Sequence, residues 1–110
     1  MKKNFQQILT SFQNEGKEDY IGLWQVETQV RLSLGLSKTD TKKLLQEVLG
    51  FVRLMLQNRF IAVTLAKGGG YTAWPDQSPE SVTKKIEQEW NRLGGPDPDL
   101  TFSVWFCYKE

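Results

Sequence analysis

The chain predicts an α+β fold: helices packed on one face of a small three-stranded antiparallel sheet. Three observations carry this reading. Apolar residues recur at helical spacing through the first half. The period changes to that of extended chain at Phe60. A further helical pattern then separates a hairpin from a terminal strand. The element order read this way is αααββαβ, in one domain spanning 1–110.

Phe5, Ile8, Leu9 and Phe12 repeat at i, i+3, i+4, i+7 and define an amphipathic helix over about residues 3–14, ended by Gly16. Asp19 is placed to cap a second helix, whose inward stripe is Leu23, Val26, Val30 and Leu34, widened by Ile21 and Trp24, with Gly35 as its stop. Ser37-Lys38-Thr39-Asp40 has the form of a capping box, Asp40 standing in for Glu or Gln. The third helix, about 39–58, carries Leu44, Leu45, Val48, Leu49, Phe51, Val52, Met55 and Leu56. It is apolar around more than half its circumference, which predicts a central position. Gly50 in its middle costs about 1 kcal/mol against Ala, and a close helix crossing or a bend would account for it.

Phe60 to Ala66 is β-branched and aromatic. Lys67-Gly68-Gly69-Gly70 turns the chain, and Tyr71 to Trp74 returns as the second arm of a hairpin that Pro75 ends. Ser78-Pro79-Glu80 is a helix start: cap, proline in the first turn, acid at the positive end of the dipole. Val82, Ile86, Trp90 and Leu93 line one face of this helix, and Gly94-Gly95-Pro96 stops it. Asp97-Pro98-Asp99 reads as an exposed, rigid acidic loop. Thr101 to Tyr108 alternates as a strand, with Phe102, Val104, Phe106 and Tyr108 on one face and Thr101, Ser103, Trp105 and Cys107 on the other. This last strand is expected to pair with the 60–66 strand, the two being the most apolar.

Composition bounds function. In 110 residues, 39% are hydrophobic and 25% charged, enough for one hydrophobic core. There is one cysteine and no histidine. The first excludes an internal disulfide and suits a reducing cytoplasm. The second removes the usual general acid/base and the commonest metal ligand, so Ser-His-Asp and Cys-His devices cannot be built. No metal, cofactor or catalytic residue is expected. The N-terminus opens with two lysines, but Gln6, Gln7, Thr10, Ser11 and Gln13 break any apolar core of a signal peptide. A net charge of +1 gives no global attraction to nucleic acid or to an acidic membrane.

The local motifs read as structure. In Lys67-Gly68-Gly69-Gly70 the lysine precedes the glycines and a strand follows, the reverse of a Walker loop, so the glycines serve a turn. Glu80, Glu87 and Glu89 share a helix with Lys84, Lys85 and Arg92, as on a solvated face with i, i+4 pairs. Cys107, between Phe106 and Tyr108, is a buried or half-buried strand residue.

The aromatics carry more. There are thirteen, four of them Trp, and Trp105, Trp74 and Tyr71 all fall on the predicted sheet. Trp105 lies on the alternation face opposite Phe102, Val104 and Phe106. If those pack on the helices, Trp105 faces a partner. The alternative is an outer face covered by the first helix or by another copy. Together with Asp97 and Asp99, these three aromatics make the expected partner-binding set. A winged-helix DNA binder with the hairpin as wing is a second reading. Against it, the preceding helix is apolar, and Lys42, Lys43, Arg53 and Arg59 form no stripe. An oligomeric structural or accessory protein is a third.

Gly22-Leu23-Trp24 opening a helix, and Ile86-Glu87-Gln88-Glu89-Trp90 followed by a Gly-Pro-Asp turn and a strand with Trp105-Phe106, resemble bacterial immunity proteins of contact-dependent inhibition and other polymorphic toxin systems. The resemblance covers residues 20–36 and 80–106. It implies a cytoplasmic non-enzyme that binds a secreted toxin domain and blocks its active site or an exosite. Many such proteins that neutralise basic nucleases are strongly acidic. This chain is not, so an aromatic and acidic patch around Trp105, Asp97 and Asp99 is the expected interface.

Overall fold

Phe5, Leu9 and Phe12 bury one face of helix α1 (Lys3–Glu15). The computed structural model describes residues 3–110. A two-residue strand β1 (Ile21–Gly22) leads directly into α2 (Leu23–Leu34), and α3 (Thr41–Leu56) follows. The hairpin is β2 (Phe60–Leu65) and β3 (Tyr71–Ala73). Then come α4 (Pro79–Leu93), the short α5 (Pro98–Thr101) and β4 (Trp105–Tyr108). The class is α+β as expected, but the sheet has four strands, ordered β1-β4-β2-β3 and antiparallel throughout. The expected pairing of the last strand with β2 is present, with Ala62 opposite Phe106. The order αααββαβ lacked β1 and α5.

Both additions have local causes. Ile21 is buried and pairs with Phe106, and Leu23 N donates to Val104 O at 2.9 Å, so the ladder runs to the first residue of α2. Two residues are too few to show a strand period in sequence. Asp97-Pro98-Asp99 is a helix start rather than a loop. The Asp97 carboxylate accepts from Asp99 N at 2.9 Å, with Pro98 at the first helical position, the same device as Ser78-Pro79 at α4. That short helix and the turn after it displace the strand start to Trp105. Phe102, expected inward, is consequently exposed, while Val104 and Phe106 face the core as read.

Two caps also move. Asp19 accepts from Tyr20 N. The start of α2 is held by Gln25, whose Oε1 accepts from Gly22 N at 2.8 Å. Asp40 accepts from Ser37 N, and α3 begins at Thr41.

Helix α3 is central. It packs against α1, α2, α4 and β2, and Leu44, Val48, Phe51, Val52 and Met55 are fully buried, Leu49 only partly. Phe5 and Phe12 each meet Phe51 edge-on, at 5.2 and 5.8 Å. Gly50 lies on the exposed side of α3, and a Cβ there would meet nothing within 4 Å, so no close crossing explains it. Among the described residues, no helix is long and apolar enough to cross a membrane.

Candidate functional site

The helices all pack on one side of the sheet. Phe60, Ala62, Phe106 and Ile21 point there and belong to the hydrophobic core with residues of α1 to α4. Strand alternation sends their neighbours the other way. The register makes one transverse row across all four strands: Gly22, Trp105, Val63, Ala73. Flanking rows add Ile61 opposite Cys107 and Leu65 opposite Tyr71. None of these outward residues belongs to the helix-packed core. Val63 is nonetheless 0% exposed, so side chains on the outward face itself must shield it.

Those side chains are aromatic. Tyr20, beside edge strand β1, and Tyr71, on the opposite edge, bring their rings together at 5.9 Å and 74°, across the two central strands. Lys109 donates from Nζ to Tyr71 Oη at 2.9 Å and lies 5.6 Å from that ring's centroid. This hydrogen bond, with the charge the phenol carries when ionised, holds the Lys109 ammonium above its ordinary pKa.

A second aromatic group borders the face at β1. Trp24 and Phe102 stack at 5.7 Å and 14°, exposed by 38% and 56%. Trp105 Nε1 donates to Phe102 O at 3.1 Å. Both indoles close over Gly22. A Cβ there would lie 2.5 Å from Trp24 Cδ1 and 3.0 Å from Trp105 Cζ3. The glycine is thus needed for close approach, and it joins the Trp24–Phe102 stack to the sheet face.

The structure divides the expected set. Trp105 stands on the outward face as expected, and Tyr71 stands there with it. Trp74 does not. Its N–H donates to Ala62 O, its indole donates to Thr64 Oγ1 at 3.1 Å, and Lys85 Nζ lies 4.7 Å from the ring centroid, all on the helix side. The reason is register: Trp74 follows Ala73 and so takes the opposite face. Asp97 caps α5 and Asp99 lies within it, and α5 packs against α2 and α4. Their interactions are with the α5 backbone and the charge of Arg92.

Tyr20, Trp24 and Phe102 were missed as site residues. Trp24 adjoins Leu23 of the inward stripe, and a step of 100° around the helix carries it to the rim. Phe102 would have been legible had Asp97-Pro98-Asp99 been read as a helix start.

This surface offers apolar area and few reactive groups. Cys107 is half-buried on it. Among the described residues, no group of three or more His, Cys, Asp or Glu could hold a metal ion. Comparison with protein-family models, with curated proteins and with solved structures yields no match.

Proposed function

We propose that this protein is a non-catalytic binding module that docks a protein partner on the helix-free face of its sheet. Its most concrete form is an immunity protein whose partner is a secreted toxin domain. One observation carries the docking reading: Tyr20, Tyr71, Trp105, Trp24 and Phe102 gather on or beside a sheet face that no helix covers. Aromatic side chains with half-exposed rings are the residues that anchor protein interfaces, and a few of them carry most of the binding free energy. The toxin reading comes from the resemblance of residues 20–36 and 80–106.

Charge argues against nucleic acid on the same face. Aromatic sheet faces do stack unpaired bases, but such sites combine rings with a basic track for phosphates. Among the described residues, Lys109 is the cation seen against this aromatic set, and the chain's net charge is +1. Against the winged-helix reading stands the burial of α3, the helix that would have to enter the groove.

The test is affinity capture from the cells that make the protein, comparing wild type with Trp24→Ala and Phe102→Ala. Both side chains are exposed, so the fold should survive, which circular dichroism checks. Each variant should weaken binding by about 2 kcal/mol or more, some thirtyfold, with little dependence on salt. Capture of the same partner at undiminished yield by both variants rejects this face as the interface. A cognate toxin gene product among the captured proteins is what the immunity reading requires.

A further inference from the structure

We propose that the space between α4 and the end of the sheet binds a small carboxylate carrying a single aromatic ring, with Lys85 as its anchor. The site lies on the helix side of the sheet, apart from the docking face, and uses a separate set of residues.

A cavity of about 320 Å³ opens there, and its lining is mostly apolar. Ile86 of α4, Leu100 of α5 and Val104 are buried and make its floor. Trp74 makes a wall. Its indole is fixed by the N–H donated to Thr64 Oγ1 at 3.1 Å and by Lys85 Nζ, 4.7 Å from the ring centroid. Apolar walls with a few placed polar groups are the composition of sites for small organic molecules, and this volume lies at the lower end of their range of about 300–1,000 Å³. At about 30 Å³ for each water-sized group, the space takes on the order of ten non-hydrogen atoms. One ring and one carboxylate fill it.

Charge selects the polar end of the ligand. Among the described residues, Lys85 makes no hydrogen bond or ion pair, and its ammonium faces the indole instead. Glu89, also on the rim, feels the Lys85 charge but is held by Arg92, whose guanidinium donates to both its oxygens at 2.7–3.2 Å. Lys85 is therefore the rim charge without a direct counter-ion. Beside it, Thr64 Oγ1 accepts from Trp74 and keeps its own proton to donate. An ammonium and a hydroxyl donor at the mouth of an apolar cavity complement a carboxylate on an apolar body. A neutral ring leaves the ammonium unanswered, and a cationic ligand meets Lys85. The flat indole wall favours an aromatic body over a branched aliphatic one.

Amide and indole N–H correlation spectra of the full chain, titrated with phenylacetate, test this. The Trp74 indole and the amides of Ile86, Leu100 and Val104 should move saturably, with a dissociation constant of about 1 mM or below, as expected for a ligand of this size. Phenylacetamide, of the same shape without the charge, should bind at least about fivefold more weakly. Lys85→Met should weaken phenylacetate at least about fivefold and leave phenylacetamide unchanged. Lys85 is exposed, so the circular dichroism spectrum and melting of that variant should match wild type; the acid-to-amide ratio on wild type tests the site without any variant. No saturable shift up to about 20 mM phenylacetate overturns the proposal. Equal binding of acid and amide, undiminished affinity in Lys85→Met, or shifts confined to Tyr20 and Tyr71 on the other face overturn it as well. Partner capture is read separately, through Trp24 and Phe102, so the failure of one proposal does not decide the other.

Discussion

Replacing Gly50 with alanine should make the protein more stable. Gly50 lies inside α3, with helical residues on both sides, and its surroundings are open: a Cβ would find no heavy atom within 4 Å. No steric term opposes the substitution. What remains is the intrinsic difference between glycine and alanine in a helix interior, about 0.8–1.0 kcal/mol, much of it entropy the unfolded glycine chain holds. Unfolding entropy near 60 °C is about 2.1 cal/mol/K per residue, on the order of 230 cal/mol/K for this chain. A gain of ~1 kcal/mol then raises Tm by about 4 °C. Thermal melting followed at 222 nm, checked by urea denaturation at unchanged m-value, is the assay. A Tm equal to or below that of wild type would refute the reasoning. It would mean that α3 is bent at Gly50 or that the position is covered in solution.

Gly22→Ala should act oppositely. The new methyl would collide with the Trp24 indole and crowd Trp105, costing on the order of 1–3 kcal/mol, and tryptophan emission should shift as the rings part; an unchanged spectrum and melt would mean the indoles do not close over Gly22. Gln77→Ala should cost about 1–3 kcal/mol in chemical denaturation, because the Gln77 amide both accepts from Ala62 N and donates to Ala62 O, at 2.8 Å each, beyond the end of β3; a loss under ~0.5 kcal/mol would show that water replaces it. The Asp76 carboxyl is held below its ordinary pKa by hydrogen bonds from Ser78, backbone first. Its contribution is therefore present above the unfolded-state value and lost as pH falls below about 4 through the folded-state value. Asp76→Asn should flatten that acid limb of the stability profile, and a profile parallel to wild type would remove Asp76 as a cause.

What could be read in advance depended on how many residues carry each signal. Helix α4 was legible because Ser78-Pro79-Glu80 and Gly94 mark both ends and Val82, Ile86 and Trp90 repeat between them. The central place of α3 followed from its wide apolar stripe, and the partnership of β2 with β4 from their shared hydrophobicity. β1 has two residues and no periodicity to read. The signature of α5 was present, yet its proline-flanked acids suggested a stiff loop. With a loop in place of α5, the last strand begins four residues early, at Thr101, and Phe102 turns inward. For the candidate site, alternation along the last strand sets Trp105 on the outward face. Tyr71 and Trp74 share one predicted hairpin arm, and alternation from Tyr71 past Ala73 puts Trp74 on the helix side.

A stronger signal lay in β2 and β4 themselves. A strand with helices on one side and water on the other alternates apolar with polar residues, whereas a strand covered on both sides reads as a continuous apolar run. Phe60-Ile61-Ala62-Val63 and Trp105-Phe106-Cys107-Tyr108 do not alternate. They are apolar or aromatic on both faces, in the pattern of strands buried twice. The chain supplies helices for one face only: α1, α2, α3 and α4 all contribute to the single core on the side of Phe60, Ala62 and Phe106. On the other side stand aromatic side chains, Tyr20 and Tyr71 in ring contact and Trp105 beside Gly22, with Val63 fully buried among the outward residues. Edge strand β3 has three residues, and beyond it Ala62 is paired by Trp74 N, which donates to Ala62 O, and by the Gln77 side chain, so little of that edge is left as free ladder. The flat of the sheet is therefore the surface on which the docking proposal rests.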